Sequence, residues 1–286
     1  MTRQIAGLGE VADRYDVLLS DVWGVIHNGR EAFEAPCAAL ARWRRERGPV
    51  ILISNSPRPS SGVAGQLDGF GVPREAWSAV ISSGDATRDL LAARAPGPAW
   101  RIGPARDAPL FEGLDLQFAG PGEAVFIACT GPENDEVETP EEYRAALAAA
   151  AARGLEMVCA NPDKVVQRGD RLIYCAGALA GLYETLGGKV AMAGKPFAPI
   201  YDLALGRAEQ FLGRPPDRRR VLAIGDAIAT DIVGAQRQGL DTLFIASGIH
   251  GEAAVDPGGA LNLAALDALR AADQAAPDFA MADLAW

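Results

Sequence analysis

Histidine is rare in this chain: two among 286 residues, His27 and His250. Catalysis that leans on several imidazoles is excluded, and no Ser/His/Asp set is suggested. Cysteine is sparse too. Cys37, Cys129, Cys159 and Cys175 are scattered through apolar segments and form no CxxC pair. Buried free thiols are expected, not a zinc site or a disulfide framework. No apolar run reaches the roughly 18 residues that a transmembrane helix needs. The opening MTRQIAGLGEVADRYDV lacks the apolar centre of a secretory signal. A cytoplasmic protein with no membrane partner is therefore expected. Basic charge is the minority sign, with 27 Lys+Arg against 37 Asp+Glu and a formal net charge of −10. The densest basic run, RWRRER at 42–47, lies on an expected helix whose other face is Phe33, Cys37, Leu40 and Trp43. It reads as a solvated helix face, and no nucleic acid partner is expected.

What is present is apolar patterning. Hydrophobic residues make up 49% of the chain, enough for one large domain or two modest ones. Buried strands are expected at 15–21, 49–56 and 77–83, with helices at 33–47, ended by Gly48, at 60–69 and at 85–94. Strands alternating with helices imply a parallel sheet covered on both faces. From about residue 97 to 122 the chain is rich in Pro and Gly, and no element or role is assigned there. A strand is expected at 124–131. A helix follows at 139–154, with Thr139 as N-cap, Pro140 at the first position and Glu142 closing a capping box. A strand at 155–163 ends in a turn. A hairpin follows, turning near Gly169 and Asp170, and then a small-residue helix at 176–187. Segment 189–196 and a helix at 197–212 resume the first texture. A strand at 218–226, a helix in ATDIVGAQRQGL, a strand in DTLFIAS, a helix at 260–273 and an edge strand in DFAMADLAW complete the pattern. The fold class is α/β: a Rossmann-like three-layer core with an insertion near 90–190.

Parallel sheets bind ligands at the carboxyl ends of their strands. Four groups fall at such ends: Asp21; Ser54 with Asn55; Lys195; and Asp226 with Asp231 in GDAIATD. Singly, each is ordinary turn, cap or surface chemistry. Together, carboxylates from two strands can hold Mg²⁺, and a hydroxyl and an ammonium can hold an anion. A nucleophile, a divalent cation, a Lys and a Ser describe a phosphoryl site. GGKVAMAGKP imitates a P-loop, but its Gly spacing is wrong and Pro follows the Lys.

In order, type and spacing these groups resemble the haloacid dehalogenase superfamily of phosphohydrolases, through DVWGVIHNG (21–29), ILISNS (51–56), GKP (194–196) and GDAIATD (225–231). The insertion, with NPD (161–163) and AGALAGLYE (176–184), resembles the large α/β cap of the NagD-like branch. The resemblance spans about residues 15 to 250. It implies a discontinuous catalytic core, 1–88 and 190–286, with a cap at 89–189. It implies that Asp21 is the nucleophile and that Mg²⁺ is held by Asp21, Asp226 and the backbone carbonyl of Trp23, with Asp231 acting through water. Ser54 and Asn55 would bind phosphate, Lys195 would orient Asp21 and the phosphate, and Asn161 and Asp163 would face the substrate, a small phosphorylated metabolite. A homodimer through the cap is compatible with it.

One position departs from the pattern. Phosphatases of this family carry a second Asp where Trp23 stands, and that Asp protonates the leaving oxygen and then activates water. Indole only donates a hydrogen bond. The loss of an acid/base group worth about 10²–10⁴-fold implies one of three things: a slow enzyme on alkyl phosphates, one that favours good leaving groups, or one with a substitute. His27 and Asp85 are candidate substitutes, and Asp163 could enter from the cap. A binding protein that keeps the phosphate and metal site, and an enzyme of other group-transfer chemistry, are the alternative functions.

Overall fold

Apolar, β-branched runs form most of the strands of the computed structural model, which describes residues 2–168, 171–256 and 258–286. In chain order the strands are β1 (Arg3–Gln4), β2 (Val17–Ser20), β3 (Val50–Ser54), β4 (Ala79–Ser82), β5 (Ala99–Ile102), β6 (Phe126–Cys129), β7 (Glu156–Cys159), β8 (Val165–Arg168), β9 (Arg171–Tyr174), β10 (Lys189–Met192), β11 (Val221–Gly225), β12 (Asp241–Ile245) and β13 (Phe279–Met281). The chain divides into two units. One comprises Met1–Ser54, Ala64–Ile81 and Tyr201–Trp286; the other comprises Asn55–Val63 and Ser82–Ile200.

The first unit is built on a seven-stranded sheet of order β1-β13-β12-β11-β2-β3-β4. The β2, β3 and β11 strands are buried along their whole length, as expected for parallel strands covered on both faces. The helix Glu34–Glu46 turns Cys37, Leu40 and Trp43 inward. Its arginines find partners within the chain: Arg42 pairs with Glu46 and Arg44 donates to the Arg74 carbonyl. Gly48 does not end this helix in a left-handed turn. It is needed because a Cβ there would strike the Asp16 carbonyl oxygen. The C-terminal strand is not at the edge either. The short β1 pairs outside it, Arg3 opposite Phe279, and takes the edge position itself.

The second unit carries a four-stranded parallel sheet, β10-β7-β6-β5. Period-two alternation splits its strands between two cores. Ile127, Cys129, Met157 and Cys159 face one, with Leu147, Leu179 and Tyr183. Phe126, Ala128 and Val158 face the other, with Leu91, Leu110 and Phe111. Residues 99–111, unassigned by pattern, thus supply the edge strand β5 and a 3-10 helix, Ala105–Phe111, that closes the second core. Lys189–Met192 was expected to resume the first sheet. It pairs with β7 instead, Lys189 opposite Glu156 and Met192 opposite Cys159, because Val190 and Met192 pack on the core beneath that strand.

The expected hairpin forms, with Val165 opposite Tyr174 and Arg168 opposite Arg171; its turn at Gly169 and Asp170 lies outside the described residues. Thr139 starts a 3-10 turn, Pro140–Tyr143, without a side-chain capping bond. The α-helix proper runs from Arg144 to Ala152. The four cysteines are buried free thiols, and burial pushes the Cys129 thiol up to about 12. Among the described residues, no helix is long and apolar enough to cross a membrane.

Candidate active site

Strand order and register assemble a group of candidate residues within the first unit. The β2 strand lies between β11 and β3, with Ser20 opposite both Ile224 and Leu52. The carboxyl ends of the three strands therefore present Asp21, Asp226 and Ser54 side by side. The Asp21 N–H donates to the Ile224 carbonyl at 2.8 Å, extending the ladder by one rung. Asp231 is added by a π-helical turn, Ile228–Ile232, where an α-helix was expected. The wider turn is closed by the Ile232 N–H reaching back to the Ala227 carbonyl, and the Asp231 carboxylate accepts the Ala227 N–H at 3.1 Å. Such bulges occur often at functional sites.

Ligand oxygens of Asp21, Asp226 and Asp231 lie within 4.8 Å of one another, and all three residues are buried. Three carboxylates so close repel strongly unless positive charge joins them. The surroundings are shaped to them. A Cβ on Gly24 or Gly248 would collide with an Asp226 carboxylate oxygen, and one on Gly225 would collide with Asp231. The Ile249 N–H fixes Asp226 with a 2.7 Å bond. A donor set of oxygens alone, in a rigid cradle, fits a hard divalent cation. Gly248 and the Ile249 amide escaped the sequence reading. Their only trace there is a glycine after a strand, in 247–251.

Trp23 stands two residues beyond Asp21, in a tightly tied loop. The Gly24 N–H donates to the His27 carbonyl at 2.8 Å, and Trp23 and His27 form an isolated parallel bridge. The half-buried indole lies edge-on to the His27 ring at 5.0 Å. Its six-membered ring sits where a Cβ of Gly29 would be, and Gly29 has φ of +82°. His27, one candidate substitute acid, is buried between Trp23 and Phe70, whose ring centroid is 4.8 Å away. Its Nδ1 accepts the Gly29 N–H at 2.9 Å, and burial pushes its pKa down to about 4. The ring is thus a neutral structural group near pH 7, not a proton donor in waiting.

Asp85, the other candidate, is also committed. Ser82 caps the helix Ser83–Ala92, and Asp85 closes the capping box. One carboxylate oxygen accepts the Ser82 N–H at 3.2 Å and the other accepts the Ser60 N–H at 3.1 Å. It holds backbone together.

The second unit gathers Asn55, Asn161, Asp163 and Lys195. Asn55 donates through Nδ2 to an Asp163 carboxylate oxygen (2.8 Å) and to the Lys195 carbonyl (3.1 Å), and its Oδ1 accepts the Lys195 N–H (2.8 Å). Both amide hydrogens are engaged, so Asn55 clamps the Lys195 backbone where a phosphate donor was expected. Asn161 accepts the Asp163 N–H at 3.0 Å and closes the turn that aims Asp163 at Asn55. Gly194 is required at the crossing: a Cβ there would press on Ser83, Asn55 and Pro162 together. Lys195 is almost fully buried, which is uncommon for an ammonium unless it is partnered.

Comparison with known proteins identifies the family. Residues 18–117 match the family described as haloacid dehalogenase-like hydrolase, and residues 192–285 match a second, HAD-hydrolase-like family. A solved haloacid dehalogenase-like hydrolase from Brucella suis 1330 is 42% identical, with a TM-score of 0.87, covering 99% of this chain and all (100%) of its own. Glycerol-3-phosphate phosphatase of Gallus gallus is 30% identical over 260 residues, 82% of this chain and 80% of its own. NagD from E. coli K-12 shares the fold at 20% identity and a TM-score of 0.67, over 93% of this chain and 95% of its own. The chain belongs to the haloacid dehalogenase-like hydrolases and is an enzyme of that family.

Proposed function

We propose that the chain is a Mg²⁺-dependent phosphohydrolase of small phosphorylated metabolites, acting through an aspartyl-phosphate on Asp21. The observation that carries this reading is the buried triad Asp21, Asp226 and Asp231, with ligand atoms within 4.8 Å at adjoining strand ends. Asp21, Asp226 and the Trp23 carbonyl would hold the cation, with Asp231 reaching it through water. Bound there, Mg²⁺ would supply the positive charge that lets a carboxylate and a phosphate dianion meet.

The rest is done by the chain's own groups. The Asp21 carboxylate attacks phosphorus, and the bond to the leaving oxygen breaks. The Ser54 hydroxyl and the Lys195 ammonium bind phosphoryl oxygens as charge develops, with the Lys195 backbone held by Asn55. Water then cleaves the aspartyl-phosphate and returns the Asp21 carboxylate. Residues 89–189 would act as a cap that selects the substrate, with Asn161 and Asp163 facing it, and would exclude water during transfer.

Phosphate release from a panel of aryl and metabolite phosphates tests the reading, run with Mg²⁺, with EDTA, and with Asp21→Asn. Metal-dependent release lost in Asp21→Asn is expected. Equal release by Asp21→Asn would remove the nucleophile assignment. A second reading, a binding protein that has lost turnover, draws on Trp23 alone. It predicts saturable phosphate and Mg²⁺ binding with no release from any substrate.

A further inference from the structure

Resting on the phosphohydrolase reading, we propose that the substrate is a phosphate whose leaving oxygen departs unprotonated, an aryl or acyl phosphate, and that Trp23 sets this limit. Three observations combine. The residue two beyond Asp21, which projects from the same loop at the strand end, offers an indole and no transferable proton. The loop is built around that indole. Gly29 has φ of +82° and lacks the Cβ that would overlap the ring, and the His27 ring, itself packed on Phe70, lies against it. The two candidate substitutes are engaged in backbone hydrogen bonds. His27 is buried with Nδ1 bonded to the Gly29 N–H, and Asp85 binds the Ser82 and Ser60 amides. Asp163, the third candidate, accepts an Asn55 amide hydrogen, so the loop after Asp21 keeps the nucleophile and offers no acid of its own to a basic alkoxide leaving group.

The step balances without an acid. An Asp21 oxygen forms a bond to phosphorus, the bond from phosphorus to the leaving oxygen breaks, and its electron pair leaves with an aryloxide or carboxylate. Water then adds to the phosphorus of the aspartyl-phosphate. Asp21 leaves as carboxylate, and both water protons leave with the phosphate as dihydrogen phosphate, which gives one up to solvent near pH 7. This second step lacks a general base as well, so phosphoenzyme accumulates during turnover.

The test is a series of substituted phenyl phosphates with phenol pKa from about 5 to about 10, together with an alkyl phosphate. The quantities read are kcat/KM, which reports steps up to phosphoryl transfer, and the pre-steady-state burst of phenol. For the wild-type enzyme kcat/KM is expected to fall about 10³-fold across the series, with negligible alkyl turnover and a burst close to one phenol per active site. Trp23→Asp should flatten the series to within about tenfold and raise alkyl turnover by about 10²–10⁴-fold. A wild-type series already flat would overturn the proposal, since an acid must then act from elsewhere. A steep series left unchanged by a folded Trp23→Asp would remove Trp23 as its cause. The wild-type series decides the first point even where the variant does not fold. Failure of the underlying reading looks different: no phenol from any substrate, or equal rates in wild type and Asp21→Asn.

Discussion

At the scale of single residues, Trp23 and Gly29 are coupled by shape, and the coupling is measurable. Gly29→Ala places a methyl group against the indole at a positive φ, and should cost about 1–3 kcal/mol in urea unfolding. In a Trp23→Ala background the steric share disappears and only the backbone share remains. A double-mutant cycle should therefore show at least about 0.5 kcal/mol of coupling; strict additivity would mean the ring does not rest on Gly29. Asp85→Ala should destabilise by about 1–2 kcal/mol through the lost capping and Ser60 bonds, while kcat/KM on an aryl phosphate stays within a few-fold of wild type. A large loss of kcat/KM would return Asp85 to the chemistry. Asp21 and Asp226 were legible in the sequence because each follows an apolar run and strand order carries it to the sheet end, whereas Asp231 reaches them only through the π turn. The side-chain partners of Asn55 were not legible, for a physical reason. Its partners sit 140 and 108 positions away, and the destination of an amide hydrogen is set by such contacts, not by local sequence.

At the scale of elements, strands and long helices were legible because burial on both faces of a parallel sheet leaves continuous apolar runs. The terminal details were not, because they depend on neighbours distant in sequence. Thr139 has the chemistry of a cap, but its side chain makes no capping bond, whereas Ser82 makes one at 3.0 Å to the Asp85 amide. Thr139→Ala should thus change stability by less than about 0.5 kcal/mol, and Ser82→Ala should lower it by about 1 kcal/mol or more. The two midpoints in denaturant decide the matter, and a reversed order would contradict the assigned caps. The π turn at Ile228–Ile232 has no period that a helix pattern could reveal. It exists because Asp231 must turn back toward Asp226 while Ile228 and Ile232 stay in the core.

For the whole molecule, two separate sheets follow from a change of texture near residue 97, but the place where the chain returns does not. Residues 189–192 are as apolar as strands of either sheet, and only pairing with β7 decides between them. His27 links stability to pH. Its folded pKa of about 4 lies below its ordinary 6.5, so its neutral form favours folding above about pH 6.5 and that contribution fades as pH falls toward 4. The full effect is on the order of 3 kcal/mol. His27→Phe should flatten the acid side of the stability profile between those limits; an unchanged profile would show that His27 protonates without unfolding cost. A covalent aspartyl-phosphate can be caught by quenching the enzyme in acid during turnover of an aryl phosphate with Mg²⁺ and mapping the phosphoryl group by peptide mass spectrometry. A phosphoryl increment on the peptide containing Asp21, absent from Asp21→Asn, is the predicted result. Sustained turnover with no phosphoryl group on Asp21 at any quench time would contradict it.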